Sequence, residues 1–73
     1  MHDGMRLRLA RERVRLTQKE LAVLATVSQA TISAAERGAR PSIGAQAKLA
    51  RALHTDAEDI WPTPNLGTRE VAA

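Results

Sequence analysis

Side chains able to carry covalent or metal chemistry are scarce in this sequence. It contains two histidines, no cysteine and no glycine-rich loop of the kind that cradles phosphates, so no nucleophile with its base and no metal constellation can be assembled. His54 has no second histidine near it in sequence and reads as a helix-end residue. No catalytic residue, metal, cofactor or small-molecule substrate is expected, and the chain reads as a non-enzyme. What it offers instead is hydrogen-bonding and cationic side chains on short helices. Between Thr17 and Gly38 it runs TQKELAVLATVSQATISAAERG, two helical patterns separated by Thr26 and Val27. Two residues make no flexible loop, so the helices must turn sharply and pack on each other. A second helix held in this way presents a free face, and a protruding helix fits the major groove of B-DNA.

The elements that position this segment follow from caps and periodicity. Thr17 caps the first helix of the pair, with Leu21 and Ala25 inward; Ser28 caps the second, with Ile32 and Ala35 inward, and Gly38 supplies a left-handed stop. Upstream, Leu7, Ala10, Arg11 and Val14 share a stripe, which predicts a helix from Met5 to Val14. Downstream, Pro41 halts any helix and Ser42 caps the next one, which carries Ile43, Leu49, Ala50 and Leu53. Asp56 to Trp61 adds a short fifth helix or turn, ended by Pro62, Pro64 and Gly67. The expected core is Leu7, Ala10, Val14, Leu16, Leu21, Ala22, Ala25, Val27, Ile32, Ala35, Ile43, Leu49, Ala50, Leu53 and Ile60. It is thin, because many of the apolar residues are alanines.

At 73 residues the chain has room for one domain, close to the size at which a core alone sustains a fold, so dimerisation would help. The absence of cysteine suits a reducing compartment, and neither a membrane span nor the apolar core of a signal peptide is evident; a cytoplasmic protein without membrane contact is expected. The net charge of +3 is unevenly spread. Residues 5 to 51 hold ten Arg or Lys against three Glu, whereas residues 52 to 73 hold one Arg against four acids. A cationic body of this kind concentrates polyanions near its surface.

From about Leu7 to Trp61 the order and spacing of these residues resemble the Cro and phage-repressor type of helix-turn-helix domain, often called XRE-like. The matching residues are Arg11-Glu12, Leu16-Thr17-Gln18, Glu20-Leu21-Ala22, Val27-Ser28-Gln29, Thr31-Ile32-Ser33, Glu36-Arg37-Gly38, Pro41-Ser42 and Leu49-Ala50 with Leu53. The resemblance implies an all-α, compact five-helix, lambda-repressor-like domain over residues 5–61, preceded by an extension at 1–4; residues 62–73 have almost nothing to bury and are expected to form a mobile tail. It also implies a sequence-specific regulator of transcription, a repressor, binding double-stranded DNA as a homodimer on an inverted repeat. Gln29 would read adenine through its amide, Ala30 would offer a methyl group to thymine, and Ser33 and Ala34 would face base edges. Gln18, Thr31, Arg37, Arg40 and Ser42 would contact phosphates. Arg11 and Glu36 would form a structural ion pair between the first and third helices, and Leu53, Ile60 and Trp61 would supply dimer contacts, with a cap on the core of the monomer as the alternative for Trp61.

The chain departs from the family pattern in two respects. Where relatives carry glycine after the first, second and fourth helices, it has Arg15, Thr26 and His54. Leu9, Val23 and Leu24 fall outward where relatives carry polar groups, which allows a second reading: an antitoxin-like or phage-regulatory module whose main partner is another protein, with DNA secondary.

Overall fold

The computed structural model describes residues 2–62, and these form α1 (Asp3–Arg13), α2 (Gln18–Ala25), α3 (Gln29–Glu36), α4 (Ile43–Ala52) and α5 (Ala57–Ile60), with no strand among the described residues. Four of the five helices begin on a side chain that accepts an otherwise orphaned backbone N–H. Thr17, Ser28 and Ser42 do so as their sequence positions predict, and Thr17 and Glu20 close a reciprocal capping box. The cap of α1 is His2, whose Nδ1 accepts from Met5 N–H at 3.1 Å. α1 therefore starts at Asp3 rather than at Met5, and Gly4, expected in an extension, lies buried inside it.

The first four helices all stop in the same way. Arg15, Thr26, Gly38 and His54 take positive φ, at 60°, 56°, 114° and 57°. In each case the residue after the turn donates its N–H to a carbonyl five residues back: Leu16 to Arg11, Val27 to Ala22, Ala39 to Ala34 and Thr55 to Ala50. The turn residue itself bonds three back. This pair of bonds is the Schellman closure, and it satisfies carbonyls that the helix end would otherwise strand. Three non-glycine residues thus accept a left-handed backbone because two hydrogen bonds offset its cost of about 1–2 kcal/mol.

α3 packs against both α1 and α2, while α4 and α5 close the far side against α2 and α1. Leu7, Leu21, Ala25, Ile32, Ala35, Leu49, Leu53, Ile60 and Trp61 form one buried cluster, with Ala10, Leu16, Ala22 and Val27 packed around it. Two residues expected there are outside: Val14 is 40% exposed and Ile43 is 76% exposed. Val14 follows the last turn of α1, where the chain reverses at Arg15, and Ile43 opens α4 one turn before its inward stripe of Gln46, Leu49, Ala50 and Leu53. Gln46 is buried because its amide donates to the Pro41 carbonyl at 2.9 Å, fastening α4 to the loop before it.

The largest correction concerns the expected dimer contacts. Leu53, Ile60 and Trp61 retain only 5%, 2% and 1% of their surface. They fill the space between α1, α4 and α5 within the protomer and have almost nothing to offer a second copy. The expectation of a mobile tail lies, apart from Pro62, outside the described residues.

Candidate nucleic-acid interface

The corner between α2 and α3 sets the geometry of the site. Thr26 closes α2 in the left-handed conformation, Val27 half-buries its side chain, and Ser28 then starts α3 by accepting from Thr31 N–H at 3.0 Å. Ile32 and Ala35 anchor α3 in the core. The opposite edge is left outward: Gln29 and Ala30 are exposed, and Ser33 and Ala34 are half-buried. The Gln29 amide makes no hydrogen bond among the described residues, so its donor and acceptor are both uncommitted. The Ser33 hydroxyl accepts from Arg37 Nη1 at 2.6 Å, which brings a guanidinium along the same edge.

The residues expected at phosphates have mixed placements. Arg37 is exposed, Thr31 pairs its hydroxyl with that of Ser28 at 2.8 Å, and Ser42 is exposed while capping α4. Gln18 begins α2, but its amide is directed inward and donates to Glu36 Oε1 at 3.0 Å. Arg40 reaches away from α3, toward Asp3 Oδ2 at 3.4 Å and the carbonyls of Trp61 and Pro62 at 3.4 and 3.3 Å. Nor is all of the positive charge on α1 free. Arg8 pairs with Glu12 at 3.0 Å on the surface, and Arg11 is spent on Glu36.

Behind the exposed edge, α3 is held by a polar network. Arg11 donates Nε to Glu36 Oε2 at 2.6 Å and Nη2 to Oε1 at 3.0 Å, and its Nη1 donates to the Leu16 carbonyl at 2.8 Å. Only 12% of the Arg11 side chain and 7% of the Glu36 side chain remain exposed. Burial pushes the Glu36 carboxyl up, but the hydrogen bonds from Arg11 and Gln18 and the arginine charge outweigh it and hold the group below its ordinary value. The hydrogen bond to Glu36 raises Arg11 in turn, against the opposing effect of burial. The end of α3 is thereby tied to α1 and to the first residue of α2 at once.

Gly4 is a further anchor that the sequence reading missed. A Cβ there would lie 2.5 Å from the Glu36 carbonyl oxygen and 2.6 Å from that of Ala35, so only glycine lets the start of α1 approach the end of α3 this closely. The approach sets the positive N-terminal end of one helix against the negative C-terminal end of another. The signal available in the sequence was a glycine seven residues before Arg11, the partner of Glu36.

A family model described as a helix-turn-helix domain matches residues 4–60. The chain belongs to the helix-turn-helix family. Its type is that of the Cro and XRE-like domains, and the match runs from Gly4 to Ile60, so it covers every residue of the buried core cluster except Trp61. A helix-turn-helix domain of this type points to a DNA-binding regulator. No curated protein matches the chain. Among the described residues, no helix is long and apolar enough to cross a membrane.

Proposed function

We propose that this helix-turn-helix domain is a sequence-specific regulator of transcription, a repressor, that binds an inverted repeat in double-stranded DNA as a homodimer. The observation that carries the reading is the outward edge of α3, where Gln29 stands exposed with an uncommitted amide on a helix locked from behind. Gln29 reads adenine by a bidentate bond, Ala30 and Ala34 meet thymine methyl groups or pass close to the bases, and Ser33 carries its hydroxyl and the Arg37 guanidinium alongside. Thr31, Arg37 and Ser42 contact phosphates. At Gln18 the phosphate ligand is the N-terminus of α2 rather than the side chain, which Glu36 holds. Arg40 reaches a phosphate only by leaving Asp3 and the carbonyls near Trp61. Two copies related by a two-fold axis set their α3 helices in successive major grooves about 34 Å apart.

Selection of bound sequences from random duplexes tests this directly. The expected product is a palindrome whose half-sites lie about one helical turn apart, with affinity falling ~10³-fold between 50 and 200 mM salt if about six phosphates are neutralised. Gln29→Ala should cost about 1–3 kcal/mol at its own base pair and little on random DNA. Enrichment of no sequence, or an equal loss on cognate and random DNA, would overturn the reading.

A further inference from the structure

The outer face of α2 is apolar where a surface helix is normally polar. Val23 is 72% exposed and Leu24 60%. With Leu16, Lys19 and Glu20 they line a shallow groove along α2. Leu24 also forms one wall of a second groove, between α2 and α4, whose other wall holds Lys48, Arg51 and Ala52. The two grooves share Leu24, which gives a strip that is apolar along α2 and mixed along α4, with Lys19 beside one part and Lys48 and Arg51 beside the other. Leu9, the third outward apolar residue of the sequence, lies elsewhere, in the groove between α1 and α5.

The charge on this strip is mainly positive. Lys19, Lys48 and Arg51 have no carboxylate within ion-pair distance among the described residues, although Arg51 also borders a separate groove that contains Asp56 and Asp59. The single acid on the strip, Glu20, gives an oxygen to the Thr17 N–H in the capping box. DNA does not fit such a surface, because a phosphate backbone offers nothing to bury against Val23 and Leu24 and no residue of α3 lines either groove. A second copy fits poorly as well. The acids of the described chain that cluster, Asp56, Glu58 and Asp59, cap α5 or lie within it, and its apolar side chain Ile60 is buried and cannot be presented with them.

We infer that the strip along α2 and the α2–α4 groove is a docking site for an acidic amphipathic helix of another protein. Its apolar residues cover Val23 and Leu24, and its Asp or Glu residues pair with Lys19, Lys48 and Arg51, as in other helix-in-groove contacts. No residue of α3 lines either groove, so the partner leaves the α3 edge uncovered, although Leu16, Lys19 and Glu20 lie beside the start of α2 where a phosphate is proposed to sit. Docking and base reading therefore use different residues, and the two can fail separately.

The test uses the full chain and a phage-displayed library of helical peptides about 16 residues long, with leucines on one face and glutamates beside them, against a matched library bearing lysines. The glutamate library is expected to enrich, and backbone amide shifts in NMR spectra on titration with a selected peptide are expected at Val23, Leu24, Lys48 and Arg51. Both Val23→Ser with Leu24→Ser and Lys48→Gln with Arg51→Gln should weaken that peptide by at least about tenfold, with thermal melts establishing that each variant is folded. DNA selection should give the same product in the presence of the peptide. Enrichment of neither library, equal enrichment of the lysine library, or undiminished binding to the folded serine variant would overturn the inference. So would sedimentation showing that the strip holds a second copy, as a dimer lost in the serine variant.

Discussion

Removing Arg11 should damage this domain more than removing Arg11 and Glu36 together. Arg11→Met deletes three donated hydrogen bonds, two to Glu36 and one to the Leu16 carbonyl. It leaves a carboxylate that is 7% exposed with the Gln18 amide as its only hydrogen-bond partner and the Arg8 charge farther off. An uncompensated charge at that depth costs about 3–5 kcal/mol; the remaining Gln18 bond argues for about 3, and the stranded Leu16 carbonyl adds about 1. Glu36→Leu should cost less, about 2–3 kcal/mol, because Arg11 keeps Leu16 and can lift its head toward water on a long stem. In the double variant no buried charge remains. Only the Leu16 carbonyl and the Gln18 amide lose partners, together about 2 kcal/mol.

A domain of this size has about 4–10 kcal/mol of stability in all, so Arg11→Met alone approaches unfolding and the second substitution rescues it. Urea unfolding followed by circular dichroism, for the wild type, both single variants and the double, measures the coupling energy directly. It is expected to exceed about 2 kcal/mol. Single variants within about 1 kcal/mol of wild type, or a double variant as costly as the two singles added, would show that the pair behaves as an ordinary surface contact and refute the reasoning.

Three further outcomes follow from the same coordinates. Since Glu36 titrates below its ordinary value of 4.5, its contribution is complete above that pH and is lost as pH falls through the lower native value. Glu36→Gln should therefore flatten the fall in urea midpoint between about pH 5 and 3, and an unchanged slope would contradict the assignment. Gly4→Ala should destabilise by about 2 kcal/mol despite alanine's better helix propensity, because its Cβ meets two backbone carbonyls at 2.5 and 2.6 Å; a melting temperature equal to or above wild type would rule this out. Thr26→Gly should stabilise by about 0.5–1 kcal/mol, the left-handed penalty of a β-branched residue less the added entropy of the unfolded glycine, and a lowered melting temperature would count against it.

The local grammar of the fold was legible in the sequence, and the family resemblance also named the Arg11–Glu36 pair across α1 and α3; the other long-range polar contacts were not legible. Thr17, Ser28 and Ser42 announce their helices because a hydroxyl before an apolar stripe has one efficient use, and Gly38 announces a stop for a similar reason. The Schellman turns at Arg15, Thr26 and His54 were legible only by position, since the residue types argue against positive φ. Gln18 and Arg40 show where such reading ends. Both are polar residues in suitable places, and only the packed structure reveals that one is spent on Glu36 and the other on Asp3 and the chain near Trp61. Trp61 admitted two readings, a dimer contact or a cap on the core of the monomer, and its burial supports the second, because α5 is so short that the indole's bulk is needed inside.

The composition of the α3 edge gives the rigidity behind it a purpose. Of Gln29, Ala30, Ser33 and Ala34, only Gln29 has a long polar side chain. Short side chains meet base edges only when the helix backbone itself lies deep in the groove, and they have no spare torsions with which to correct an error in the angle of the helix. A long arginine tolerates a tilted scaffold, whereas an alanine methyl group does not. On the DNA-binding reading, α3 must therefore arrive already oriented. Its restraints match that demand: Ile32 and Ala35 fix its rotation, Gly4 fixes the approach of α1 to its last carbonyls, and Glu36 fixes its end to both Arg11 and Gln18. Orientation supplied by the scaffold is present before binding, so none of the association free energy is needed to create it. That saving is largest for a reading edge like this one, which makes few direct contacts.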